Sequence, residues 1–156
     1  MKQNSPCQPA HPDTPLFFRE SPLSLPLYLT LEERILAELP ETRIRVQKTQ
    51  ISFSNRRNFA FASLLPARRA AARPSPFLTV TIGLPFRLDS PRVDAALEPY
   101  PDRWTHHIVI GSAEEIDGEL LGWIREASEF SAQKRGKRLT WKLLDSLQLS
   151  LEEMIR

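Results

Sequence analysis

This sequence predicts a single two-layer α+β domain: a mainly antiparallel β-sheet of about four to six strands, with an N-terminal and a C-terminal helix packed on one face. Three observations lead there. Strand-like alternation recurs between residues 43 and 110, helical periodicity brackets that region, and most neighbouring strands are joined by loops too short for a parallel crossover. The 156 residues are enough for one hydrophobic core, and 41% apolar with 26% charged residues is ordinary for a globular domain. No apolar run approaches the roughly 20 residues of a membrane-spanning helix, and the first residues lack the basic and apolar regions of a signal peptide. With one cysteine, Cys7, no internal disulfide can form. The expectation is a cytoplasmic protein with no membrane partner.

Residues 1–26 hold six of the fourteen prolines. That density supports neither helix nor central strand, so the stretch reads as an extended arm, pinned by Leu16-Phe17-Phe18 and loose over its first ten residues. Thr30-Leu31-Glu32-Glu33 has the pattern of a capping box and predicts a helix starting there. Leu31, Ile35, Leu36 and Leu39 form its apolar stripe, and Pro40 ends it. Ile44 and Val46, then Ile51 and Phe53, alternate with polar neighbours, but the parity changes near Lys48, which predicts a bulge or a strand covered on both faces. Residues 54–58 form a polar turn into a strand carrying Phe59, Phe61 and Leu65, and a basic loop spans 67–76. The clearest strand follows, with Leu78, Val80, Ile82, Leu84 and Phe86 on one face; the opposite face, Thr79, Thr81 and Gly83, is expected to be wet or to meet a partner.

Residues 87–103 read as irregular, punctuated by Pro91, Pro99 and Pro101, before a fourth strand around 104–110. Asp117 can cap a closing helix with Leu120, Trp123, Ile124, Ala127 and Phe130 on one face and Glu119, Arg125, Glu126 and Glu129 on the other. The α+β domain thus spans 27–131. Residues 132–156 add a basic hinge at 134–138 and a short amphipathic helix marked by Leu144, Leu147, Leu151 and Met154. This last segment, 139–156, is the candidate surface for self-association or a protein partner.

Charge is unevenly distributed. Residues 40–93 carry ten basic residues against Glu41 and Asp89, whereas 94–130 carry nine acids against Arg103 and Arg125. A basic sheet with interleaved aromatics can hold phosphates and stack bases, so an anionic ligand or nucleic acid is a candidate partner. The plainer reading is that the basic and acidic regions are both solvated and attract each other weakly.

Lys48-Thr-Gln-Ile-Ser-Phe53, Arg57 with Phe59-Ala60, Leu88-Asp-Ser-Pro-Arg92, Arg103-Trp-x-His-His107, and Glu115-Ile-Asp117 with Glu119-Leu120 and Trp123-x-x-Glu-Ala127 occur in this order. Together, over roughly residues 29–131, they resemble the bacterial and archaeal family catalogued as domain of unknown function 5655. Ser128 stands where that family shows a tyrosine. The resemblance implies a layout similar to frataxin-like and MmcQ/YjbR-like α+β folds, whose members include iron-handling proteins and proposed DNA-binding domains. Some relatives add an N-terminal Cys/His zinc module; Cys7 and His11 are alone here, so no such site is implied.

No catalytic constellation is evident. His106 and His107 are adjacent on a strand, point to opposite faces and cannot chelate one ion together, so one is expected to be buried and hydrogen-bonded and the other to lie near the surface. The five glycines form neither a dinucleotide-binding nor a phosphate-loop pattern. Neither enzymatic activity, nor a metal, nor a cofactor is expected. The candidate anion-binding residues are Lys48, Arg56, Arg57, Arg92, Arg103, Trp104, His106 and His107. Arg57, Arg92 and Arg103 fall within the family-like motifs; the alternative for Arg92 and Arg103 is pairing with Asp89 and Asp117 to lock the long loop.

Overall fold

The computed structural model describes residues 9–133; the predicted basic hinge and terminal helix lie outside the described residues. Six strands, β1 (Arg43–Val46), β2 (Ile51–Ser54), β3 (Asn58–Ser63), β4 (Leu78–Leu84), β5 (Ala95–Tyr100) and β6 (Arg103–Ile110), form one antiparallel sheet in the order β1-β2-β3-β4-β6-β5. Among the described residues three α-helices, α1 (Thr14–Phe17), α2 (Leu25–Glu38) and α3 (Gly118–Ala132), accompany it. Among the described residues no helix is long and apolar enough to cross a membrane.

Period-two alternation puts Ile51, Phe53, Ala60, Ala62, Leu78, Val80, Ile82, Leu84, Ile108 and Ile110 on one face, all buried. The small Ala60 and Ala62 sit opposite Phe53 and Ile51, so large and small side chains interlock across β2 and β3. α2 and α3 cover this face with Leu31, Ile35, Leu120, Ile124 and Ala127, and the Tyr28 ring stacks on Phe53 with centroids 6.2 Å apart. As its sequence predicts, Asp117 caps α3 by accepting the Leu120 amide proton at 3.0 Å.

Several expectations need correction. The arm is not wholly extended: α1 and a 3-10 turn (Pro22–Ser24) precede α2, which begins at Leu25. Pro15, Pro22 and Pro26 each fall at the first or second position of a helical turn, where no amide donor is lost. Thr30 is therefore inside the helix, with its hydroxyl donating back to the Pro26 carbonyl at 3.1 Å, and the capping box does not form. Phe18, only 1% exposed, packs on Tyr28. The change of parity near Lys48 is neither a bulge nor a doubly covered strand but a hairpin turn closed by Gln47 and Gln50. The supposedly irregular 87–103 contains β5, an edge strand in which Pro99 is tolerated, joined to β6 by Pro101 and Asp102. Asp102 takes a left-handed conformation, φ 61°, which aspartate tolerates better than most residues.

Among the described residues no helix covers the second face, yet that face is not simply wet. Thr79 and Val109 are buried on it because residues 64–77 fold across. The Thr79 hydroxyl donates to the Leu65 carbonyl, and Arg68 donates to both Asp94 oxygens, at 2.8 and 3.2 Å, and to the Val109 carbonyl at 3.0 Å. Asp94 closes the arrangement by accepting the Val109 amide proton at 2.8 Å. Beyond that loop the face lies open.

Candidate functional site

On β6 the open face receives Arg103, Thr105 and His107; on β4 it receives Thr81, which pairs with His107, and Gly83, which pairs with Thr105; on β3 it receives Phe61, opposite Thr81. These rows line two depressions that share Phe61, Thr81 and Thr105. The larger, about 590 Å³, extends past Ser63 and His107 to Leu64, Leu65 and the hairpin residues Lys48, Thr49 and Gln50, with Phe17 as an outer wall. The smaller, about 270 Å³, ends at Arg57 and Arg103. Among the described residues a Cβ on Gly83 would meet nothing within 4 Å, so the missing side chain leaves space over the strand.

The electrostatics are concentrated at one end. Burial pushes the Arg103 pKa down, the neighbouring Arg57 charge pushes it further, and Tyr100 opposes both. Arg103 lies 5.5 Å from the Phe130 ring centroid and, among the described residues, pairs with no carboxylate. Arg57 donates to the Ser131 carbonyl at 3.3 Å, which draws it toward the end of α3. In the larger depression His107 Nδ1 and the Thr81 hydroxyl are 2.8 Å apart, and burial lowers the His107 pKa, which keeps the ring neutral at pH 7.

The eight residues nominated from sequence separate. Arg57, Arg103, His107 and Lys48 line the open-face depressions, and Arg56 is exposed in the β2–β3 turn. Trp104 and His106 do not join them, because alternation turns both toward the helix-covered face, opposite Leu84 and Ile82. His106 is the buried histidine: its Nε2 accepts the Leu88 amide proton at 2.9 Å, which leaves the proton on Nδ1, close to the Ile82 carbonyl but, among the described residues, not in good hydrogen-bonding geometry. Burial lowers its pKa, and the nearby Ile82 carbonyl offsets this only in part.

Arg92 is also elsewhere. It donates to Asp117 at 2.9 and 3.1 Å, to Glu119 at 2.9 Å and to the Glu115 carbonyl at 2.7 Å. Burial lowers the Arg92 pKa, but these bonds more than offset it, and the Leu120 amide with Arg92 holds the Asp117 carboxyl below the usual range. The loop-locking role anticipated as the alternative is thus what Arg92 does through Asp117.

Thr105, Gly83, Gln50 and Ser63 were not nominated. Thr105 and Gly83 share parity with His107 and Thr81, so strand alternation was the signal that could have found them. Gln50 and Ser63 depend on the hairpin and the fold-over loop. Among the described residues no group of three or more His, Cys, Asp or Glu side chains is placed to hold a metal ion.

A family model described as domain of unknown function (DUF5655) matches residues 17–131. The chain belongs to that family. The match reaches further toward the N-terminus than the motifs alone indicated, so the DUF5655 domain takes in Phe17, the buried Phe18 and all of α2. No curated protein matches the chain, and no solved structure does.

Proposed function

We propose that this DUF5655 domain is a non-enzymatic cytoplasmic binding module that takes up an anionic ligand on its helix-free sheet face, with no cofactor. The observation that carries this reading is the convergence of Arg57 and Arg103 on one depression whose floor is otherwise uncharged: Asn58, Phe61, Thr81, Gly83 and Thr105. Two like charges held close in a half-buried recess repel each other, and an anion between them relieves that repulsion while accepting charge-assisted hydrogen bonds.

A long nucleic-acid backbone, the other reading the basic composition invites, has less support. It calls for cations spread along the surface, whereas Arg68 is paired with Asp94, Arg92 with Asp117 and Glu119, and Arg73 and Arg87 lie over Phe77 and Trp104. A frataxin-like metal-handling role also has little support, since the carboxylates of α2 are engaged: Glu32 accepts from Tyr28 and Ala10, and Glu38 pairs with Arg125.

The test is a thermal-shift and calorimetric screen at low salt over phosphomonoesters, carboxylates and short oligonucleotides, on the full chain and on Arg103→Gln. Binding by at least one anion class, weakened about tenfold or more by the substitution, is the expected result. If nothing binds, or Arg103→Gln binds as the parent does, the reading is wrong.

A further inference from the structure

Resting on that reading, we infer that the ligand is a phosphomonoester carrying a flat, uncharged ring, of the size and chemistry of a mononucleotide. Along β6 the open-face positions Arg103, Thr105 and His107 are spaced by two residues each. At about 3.3 Å per residue this sets the cationic end roughly 13 Å from the neutral histidine, a span that suits one nucleotide and not a chain of them.

Each third of the trough has its own chemistry. At the cationic end, the Arg103 guanidinium, paired with no carboxylate among the described residues, presents N–H donors with the Arg57 charge beside it, which suits a phosphate dianion better than a singly charged carboxylate. In the middle, Thr105 offers a hydroxyl on the floor beside Thr81, whose own hydroxyl pairs with His107, matching the hydroxyl-rich part of a nucleotide. Beyond them Phe61, Ser63, Gln50 and His107 line the larger depression of about 590 Å³, with Lys48 of the β1–β2 hairpin also in its lining. An aromatic wall over a floor of uncharged donors and acceptors accepts a planar heterocycle, which stacks on Phe61 while its edge finds polar partners. The two depressions meet at Phe61, Thr81 and Thr105, so one ligand can occupy both.

Gly83 supplies the discriminating variant. A side chain there enters open space rather than protein, and valine suits a strand better than glycine. Gly83→Val is therefore expected to fold and to obstruct the trough beside Thr105; Thr105→Val, which removes a hydroxyl at nearly constant shape, provides a second test.

The experiment titrates the full chain at low salt with nucleoside 5′-monophosphates, the matching nucleosides, ribose 5-phosphate, inorganic phosphate, an aromatic carboxylate and a twelve-residue oligothymidylate. Monophosphates are expected to bind at least tenfold more tightly than nucleosides, ribose 5-phosphate, inorganic phosphate or the carboxylate. Gly83→Val should lower that affinity at least tenfold, and Thr105→Val severalfold, with the unfolding midpoints of both variants retained. Equal binding of the carboxylate, ribose 5-phosphate or inorganic phosphate, still sensitive to Arg103→Gln, overturns the nucleotide assignment and leaves the anion-binding reading standing. Tighter binding of the oligonucleotide also overturns it, in favour of a polymer. No binding of any probe overturns both.

Discussion

The two faces of the sheet use the same strands for opposite purposes. Ile82 and Gly83 are neighbours on β4, yet Ile82 is 1% exposed between the sheet and its helices, whereas a Cβ on Gly83 would touch nothing among the described residues. The helix-covered face is filled by aliphatic side chains; the other is held by polar locks over half its length and left vacant over the rest. The difference teaches where stability resides and where substitution is tolerated. Closely packed apolar side chains tolerate little change, while positions facing open space, Gly83 above all, can be varied with little effect on the fold. Ile82→Ala should therefore cost about 2–5 kcal/mol in urea unfolding, the range for truncating a buried aliphatic side chain. Gly83→Val should leave the unfolding midpoint level with or above the parent's. Comparable losses from both substitutions would mean that the open face is packed after all.

The covered half of the helix-free face is the sharper case, because there a loop rather than a helix excludes water. Gly111, just past β6, allows Pro74 to approach: a Cβ on residue 111 would fall 2.5 Å from Pro74 Cβ and 2.6 Å from its Cγ. A rigid proline ring cannot swing aside, so Gly111→Ala must shift the 64–77 loop. The expected cost is about 1–3 kcal/mol, the range for overpacking. Amide exchange should speed up at Val109, whose N–H is held by Asp94, more than at Ile108 or Ile110 on the helix-covered face. Uniform acceleration across β6 would show that the loop and the helices stabilise the sheet as one unit.

The helix-covered face was largely legible in the sequence, and the open face was not. Alternation in Leu78–Leu84 and the stripe Leu120, Ile124, Ala127 identify buried positions directly, because burial of apolar side chains leaves a periodic trace. Of the two aromatics of β3, Phe61 misleads for the same reason. Phe59 is indeed buried in the core, beside the register shift between β2 and β3, but Phe61 falls on the opposite face while Ala60 and Ala62 occupy the core side of β3, and only the facing Phe53 and Ile51 explain why small residues are needed there. The cluster of arginines suggested a continuous basic surface; ion pairs between residues far apart in sequence, Arg68 with Asp94 and Arg92 with Asp117, determine which charges remain at the site. β5 escaped notice because Pro99 and the short Leu97-Glu98 pattern are edge-strand features, with little period to detect.

The adjacent histidines give the finest test, since one belongs to each face. Both have pKa values lowered from 6.5, chiefly by burial. A depressed folded value means that the unfolded chain binds protons more readily, so each ring's contribution is fully present above about pH 6.5 and is lost as the pH falls toward the folded value. For His106 protonation also destroys the bond from the Leu88 amide, because a charged ring has no lone pair left to accept it. His107 reaches the open trough, where solvent can relax around the charge, and Thr81 Oγ1 can turn to accept from a protonated Nδ1. Urea midpoints measured between pH 7 and pH 5 should thus fall for the parent, fall distinctly less for His106→Leu, and fall only slightly less for His107→Gln. If His107→Gln flattens the profile as much as His106→Leu, the open face is as dry as the helix-covered one, and a ligand would have to displace protein rather than water to enter it.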